Sequence, residues 1–147
     1  MNTEIPQQPQ RPPATEAAQV PLMASGGKTR ILLVDDEAPI RKLERKVLES
    51  PQREFVEAAN GRDGLEAFRA GKFDLVITDN TMPIMHGTQM IAEIRKIKPD
   101  QKIIMITGDA YMTAEKMAAT GADIVLTKPP SMVQLRNSVD SLTKLTN

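Results

Sequence analysis

A chain of 147 residues with 19 Lys plus Arg against 19 Asp plus Glu is sized for one folded domain, and its balanced charge offers no net field to nucleic acid or an anionic membrane. The absence of cysteine excludes disulfides, thiolate metal sites and Cys nucleophiles. No apolar stretch approaches the roughly 20 residues of a membrane span, and Glu4 with several prolines stands where a signal peptide needs a basic start and an apolar core. Residues 1–28 hold Pro6, Pro9, Pro12, Pro13 and Pro21 among Gln, Ala and Thr. Such a segment buries too little apolar surface to offset its ordering entropy, so a disordered arm is expected there. Gly26-Gly27-Lys28-Thr29 fails as a phosphate-binding loop: the earlier glycine would fall at Leu22, and the segment precedes a strand instead of following one.

From Thr29 onward apolar runs alternate with helical patterns, the mark of βα units around a parallel sheet. The first run, Ile31 to Val34, leads into Asp35-Asp36-Glu37. Helix one follows with Pro39 in its first turn and Ile40, Leu43, Val47 and Leu48 as its apolar stripe. Its charges Arg41, Lys42, Glu44, Arg45 and Lys46 read as a solvated face. Arg53 to Ala58 is a more polar strand, expected at an edge. Helix two carries Leu65, Ala67 and Phe68 and stops at Gly71. Leu75 to Thr78 then delivers Asp79, and His86, the only histidine, sits in the loop beyond, where solvent exposure is the expectation. Helix three presents Met90, Ile91, Ile94 and Ile97. Ile103 to Ile106 leads into Thr107. Helix four is expected from about Tyr111 to Thr120, with Gly121 just past its end. Ile124 to Thr127 leads into Lys128, and helix five presents Met132, Leu135, Val139, Leu142 and Leu145.

A doubly wound sheet in the order 2-1-3-4-5 makes strands one, three, four and five contiguous, and these are the strands with polar termini. Open α/β sheets bind ligands at the carboxyl ends of their strands. Three carboxylates gathered there repel one another, by roughly 4 kcal/mol for a pair 4 Å apart at an effective dielectric of 20. A hard divalent cation removes that cost, and an all-oxygen site suits Mg²⁺. Asp79 beside such a cation, with Lys128 near, reads as a carboxylate that attacks phosphorus and forms an acyl phosphate.

The set Val-Asp-Asp-Glu at 34–37, Asp79 with Met82-Pro83 and Gly87, Thr107-Gly108 and Lys128-Pro129 resembles the receiver domain of two-component response regulators, over about residues 29–145. The resemblance implies a flavodoxin-like fold for residues 29–147, with five parallel strands and five flanking helices. It implies phosphoryl transfer to Asp79 from a sensor histidine kinase or histidine phosphotransfer protein, and no enzymatic turnover beyond its own phosphorylation and dephosphorylation. It places Mg²⁺ on Asp35, Asp36, Asp79 and the backbone carbonyl of Thr81. It makes Thr107 and Lys128 the phosphoryl-binding switch residues, and it makes the Lys128–Pro129 bond cis. The helix-one face meets the kinase in such proteins. A downstream protein would bind the face of helix four, strand five and helix five, with the chain a monomer or a phosphorylation-dependent dimer in the cytoplasm.

Two positions depart from the family pattern. Val125 stands three residues before the lysine, where Tyr or Phe is usual, so the familiar aromatic flip has no ring to move. Gly108 stands where Ala is common. With no effector region in view after helix five, output is expected through partner binding, as a phosphorelay shuttle or as a phosphate sink. The rival from another class is a small phosphohydrolase with Asp79 as nucleophile. That reading needs a general acid-base and a capping insertion, and the short loops provide neither.

Overall fold

The computed structural model describes residues 28–109 and 111–143. The arm expected over residues 1–28 therefore lies outside the described residues except for Lys28, as does Leu145. Five strands, β1 (Thr29–Val34), β2 (Arg53–Ala58), β3 (Leu75–Asp79), β4 (Ile103–Thr107) and β5 (Ile124–Thr127), form one parallel sheet in the order β2-β1-β3-β4-β5. Between and after them run α1 (Ala38–Leu48), α2 (Gly61–Ala70), α3 (Gly87–Ile97), α4 (Ala114–Ala119) and α5 (Met132–Thr143). None of these helices is long and apolar enough to cross a membrane.

The central strands are apolar throughout because both faces are covered. Leu32, Val34, Val76, Ile103 and Met105 pack with Leu65, Phe68, Met90, Ile91 and Ile94, residues of α2 and α3. Ile31, Leu33, Leu75, Ile77, Ile104 and Ile106 pack on the other face with Leu48, Leu135 and Val139, residues of α1 and α5. β2 lies at the edge, where alternate polar residues are tolerated.

Helix boundaries follow local hydrogen bonds. Asn60 Oδ1 accepts from Asp63 N at 2.8 Å to cap α2, and Pro39 occupies the first turn of α1. Helix α4 starts later than expected. Tyr111 N donates to Asp109 Oδ1 at 2.8 Å, and Thr113 Oγ1 accepts from Lys116 N at 3.1 Å. Tyr111 thus lies in a turn, and Thr113 becomes the cap. Gly121, at φ +83°, terminates the segment in the left-handed region.

Helix α1 is also rotated from the expected stripe. Leu43 is 47% exposed, whereas Glu44 is 5% exposed and faces inward with Leu48. Residues 40, 44 and 48 are spaced by four, so a small turn of the helix brings Glu44 under the sheet edge. The other charges of that face do meet solvent or partners: Arg41 and Arg45 both bind Glu57 on β2, at 2.8 and 2.5 Å.

Helix α3 is seated directly on the end of β3. Gly87 N donates to Asn80 O at 2.8 Å, and a Cβ on Gly87 would stand 2.3 Å from the carbonyl oxygen of Asp79. Gly87→Ala must separate strand end and helix, and urea unfolding should show a loss of about 1–3 kcal/mol, the usual cost of overpacking. Unchanged stability would mean that this contact yields freely.

Candidate functional site

The carboxyl edge of the sheet gathers the polar strand ends. Asp79, 5% exposed, closes β3; its Oδ1 accepts from Asn80 N at 2.7 Å and its Oδ2 from Lys128 Nζ at 2.8 Å. Its backbone carbonyl accepts from the Thr78 hydroxyl at 2.7 Å, which steadies the strand end. Asp35 follows β1 and is 2% exposed. Its Oδ1 accepts from Glu37 N at 2.8 Å, and its backbone carbonyl accepts from Arg41 Nη1 at 2.6 Å. Asp36 is exposed beside it. One carboxylate oxygen from each of Asp35, Asp36 and Asp79 lies within 4.8 Å of the others.

Lys128 follows β5. Its backbone N donates to Thr107 O at 2.7 Å, which fixes the lysine relative to β4, and its Nζ is also 3.7 Å from Glu37 Oε1. The Lys128–Pro129 bond is cis. Thr107 ends β4 at 2% exposure, one residue beyond the partner of Asp79 in the β3–β4 register. Its Oγ1 accepts from Asp109 N at 3.1 Å, so the hydroxyl is engaged with its own loop. Thr81 lies two residues past Asp79 in the β3–α3 loop. Gly108 is exposed with open space where a Cβ would be, and Val125 packs partly buried against the α2–α3 side of the core. Tyr111, 83% exposed, precedes α4 instead of opening it. His86 is exposed at the α3 cap, where its N donates to Gln89 Oε1 at 2.9 Å.

The electrostatics match a site built for a cation and an anion. Burial pushes the Asp35 carboxyl up; the Glu37 N–H and Lys128 oppose this, while Asp79 and Asp36 add to it. Burial would lower Lys128, but the hydrogen bond and charge of Asp79, with Asp35 and Glu37, outweigh it and hold the ammonium above its ordinary value. Two oxygens on one Mg²⁺ stand up to ~4.2 Å apart at ~2.1 Å ligand distances. The three acids therefore fit such an ion with little closure, and it would relieve the repulsion that Asp79 and Asp36 add to the effect of burial on Asp35.

The chain matches the response regulator receiver domain over residues 31–140. It belongs to the response regulator receiver family. It is 36% identical over 115 residues to the chemotaxis protein CheY of Thermotoga maritima, covering 75% of this chain and 96% of that one. It is 35% identical over 121 residues to the sensor kinase CckA of Brucella abortus, covering 79% of this chain but 13% of that protein. Among solved structures, the response regulator protein TrrA of Thermotoga maritima in complex with Mg²⁺ and BeF superposes with TM-score 0.71 at 37% identity, covering 78% of this chain and 98% of that one. A CheY-like receiver of Methanospirillum hungatei JF-1 gives TM-score 0.71 at 30% identity, covering 80% and 96%. The receiver is a phospho-acceptor of two-component signalling. Receiver domains bind Mg²⁺ at their acidic site and interact with histidine kinases and phosphotransfer proteins; they are generally signalling modules and not enzymes.

Sequence reasoning missed two features. Glu44 is buried beside this site, a position that its spacing from Ile40 and Leu48 would have flagged. Gly61 N donates to Met85 O at 3.2 Å, tying the start of α2 to the β3–α3 loop; only the tertiary fold brings these together.

Proposed function

We propose that Asp79 is the phospho-acceptor, that Asp35, Asp36, Asp79 and the Thr81 carbonyl hold Mg²⁺, and that Thr107 and Lys128 bind the transferred group. The observation that carries this reading is the 2.8 Å pair between Lys128 and Asp79 within a triad of acids. A carboxylate oxygen of Asp79 forms a bond to phosphorus as the bond from phosphorus to the donor's histidine nitrogen breaks, and the nitrogen keeps that electron pair. Bound cation supplies charge neutralisation for the phosphoryl oxygens. Asn80 N orients the carboxylate, and Lys128, already an ammonium, offers its N–H donors to the incoming group.

Acetyl phosphate with Mg²⁺ should add one phosphoryl group to the chain, labile to hydroxylamine as acyl phosphates are. Asp36→Ala should weaken Mg²⁺ binding and labelling together by about tenfold or more, as losing a ligand costs at least what losing an outer-shell partner does. A metal titration unchanged in that variant would remove Asp36 from the site.

The switch acts without the usual aromatic. Thr107 Oγ leaves Asp109 N for the phosphoryl group, and Gly108 lets the backbone follow at low cost. Val125 has one stiff branched side chain and stays in the core. The output surface is α4, β5 and α5, where a downstream protein binds. With beryllofluoride and Mg²⁺, NMR shifts should be largest over residues 107–120. A response confined to α1 would place the output elsewhere.

A further inference from the structure

Between α1 and α5 lies a cavity of about 140 Å³, walled by Leu43, Val47, Pro130, Met132 and Leu135. An apolar space of about this size holds a benzene-sized ring. Its lining is apolar with one anomaly: Glu44 is 5% exposed and its Oε2 has no hydrogen-bond partner among the described residues. A buried acceptor left unpaired costs about 1–3 kcal/mol or more when charged, so the position asks for a donor.

The neighbouring cation does not supply it. Lys128 lines the same cavity, but its ammonium sits 2.8 Å from Asp79 and 3.7 Å from Glu37. Glu37 at the rim is engaged by Lys128, so the unmatched group facing the cavity is the Glu44 carboxyl. The mouth is apolar and open, with Ile40, Leu43 and Met132 exposed at 37, 47 and 41%. Apolar walls and one inward acid select a small ring or short alkyl group that carries a protonated amine. Burial, with repulsion from Asp35, raises the Glu44 carboxyl to about 7, as expected for an acid that lacks such a donor.

We propose that the α1–α5 cavity is a binding site for a small hydrophobic amine, with its ring or alkyl group among Val47, Leu135 and Met132 and its ammonium on Glu44. The cavity shares Lys128 with the phosphoryl site at its rim, while Glu44 and the apolar wall take no part in that chemistry. Its ligand is a free small molecule; a side chain of a docked protein would need no affinity for the isolated compound.

The test is a methyl and amide NMR titration of the full chain, held in saturating Mg²⁺ so that the acidic triad is occupied, with benzylammonium as the probe. Saturable shifts should centre on Val47 and Leu135, with a dissociation constant of about 1 mM for so few heavy atoms. Benzoate, with the same ring and opposite charge, should not bind. Glu44→Gln keeps the size of the side chain and should weaken benzylammonium by about tenfold through loss of the charge-assisted hydrogen bond. Shifts that never saturate would overturn the proposal, as would shifts centred on Asp36 and Asp79. Equal affinity of wild type and Glu44→Gln would also overturn it, since the acid would then select nothing. A cavity that holds only water gives the first of these results.

Discussion

Asp79→Asn should bring labelling by acetyl phosphate in Mg²⁺ down to background while the chain stays folded. An amide oxygen in place of the carboxylate is nearly isosteric, so the contact with Asn80 N survives, but the nucleophilic charge is gone. The stability effect is the difference of two terms. The substitution breaks the 2.8 Å ion pair with Lys128, a pair formed at 5% exposure on the acid side and 25% on the lysine side. Breaking a buried pair costs about 3–5 kcal/mol when the orphaned charge has nowhere to go. Here Lys128 retains Glu37 at 3.7 Å, and the loss of one acid relieves the repulsion within the triad. Denaturant midpoints should therefore shift little, by about 1 kcal/mol or less once the two terms offset. Labelling of the Asn variant at the wild-type level would move the phospho-acceptor to another residue; Asp35 and Asp36 are the neighbours to examine.

The strands and the polar residues at their ends were legible because both signals are local. An apolar run of four or five residues followed by Asp35, Asp79, Thr107 or Lys128 needs no knowledge of neighbours, and the order 2-1-3-4-5 follows once those ends must converge. Side-chain facing on α1 was not legible in the same way. Ile40, Leu43 and Leu48 satisfy a helical stripe in sequence, yet the sheet edge takes Glu44 and leaves Leu43 at 47% exposure. Hydrophobicity ranks Leu43 above Glu44, and packing against β1 and α5 overrides that rank. The start of α4 was missed for a different reason. Asp109 and Thr113 each bond a nearby backbone N–H, and such bonds compete with the first helical turn over 111–113. Contacts that cross the fold, such as Arg53 on β2 with Asp140 on α5, leave no trace in sequence spacing.

Glu44→Gln should be as stable as the wild type in acid and more stable above neutrality. The Glu44 carboxyl rises from 4.5 to about 7, chiefly by burial, then by repulsion from Asp35 at the end of β1, opposed by Lys128 after β5, with Asp79 at the end of β3 adding to it. Its folded value exceeds its unfolded one, so the folded state holds the proton more tightly. The wild type is unpenalised below pH 4.5, where both states are protonated. It loses stability as pH rises from 4.5 through 7, and above that the full penalty is present. A rise of 2.5 pH units amounts to about 3 kcal/mol. Glutamine cannot ionise, so the difference between variant and wild type should grow from near zero at pH 4 to about 3 kcal/mol at pH 8. Asp35, also raised chiefly by burial, tilts both proteins in the same direction, and only its repulsion with Glu44 enters the difference. Mg²⁺ at the triad would offset the repulsion from Asp35 and Asp79 and shift the wild-type transition to higher acidity. Urea unfolding of both proteins across this range, with and without Mg²⁺, measures these effects. A difference that does not change with pH would mean that Glu44 keeps one protonation state throughout and that its burial is compensated by a donor in the cavity.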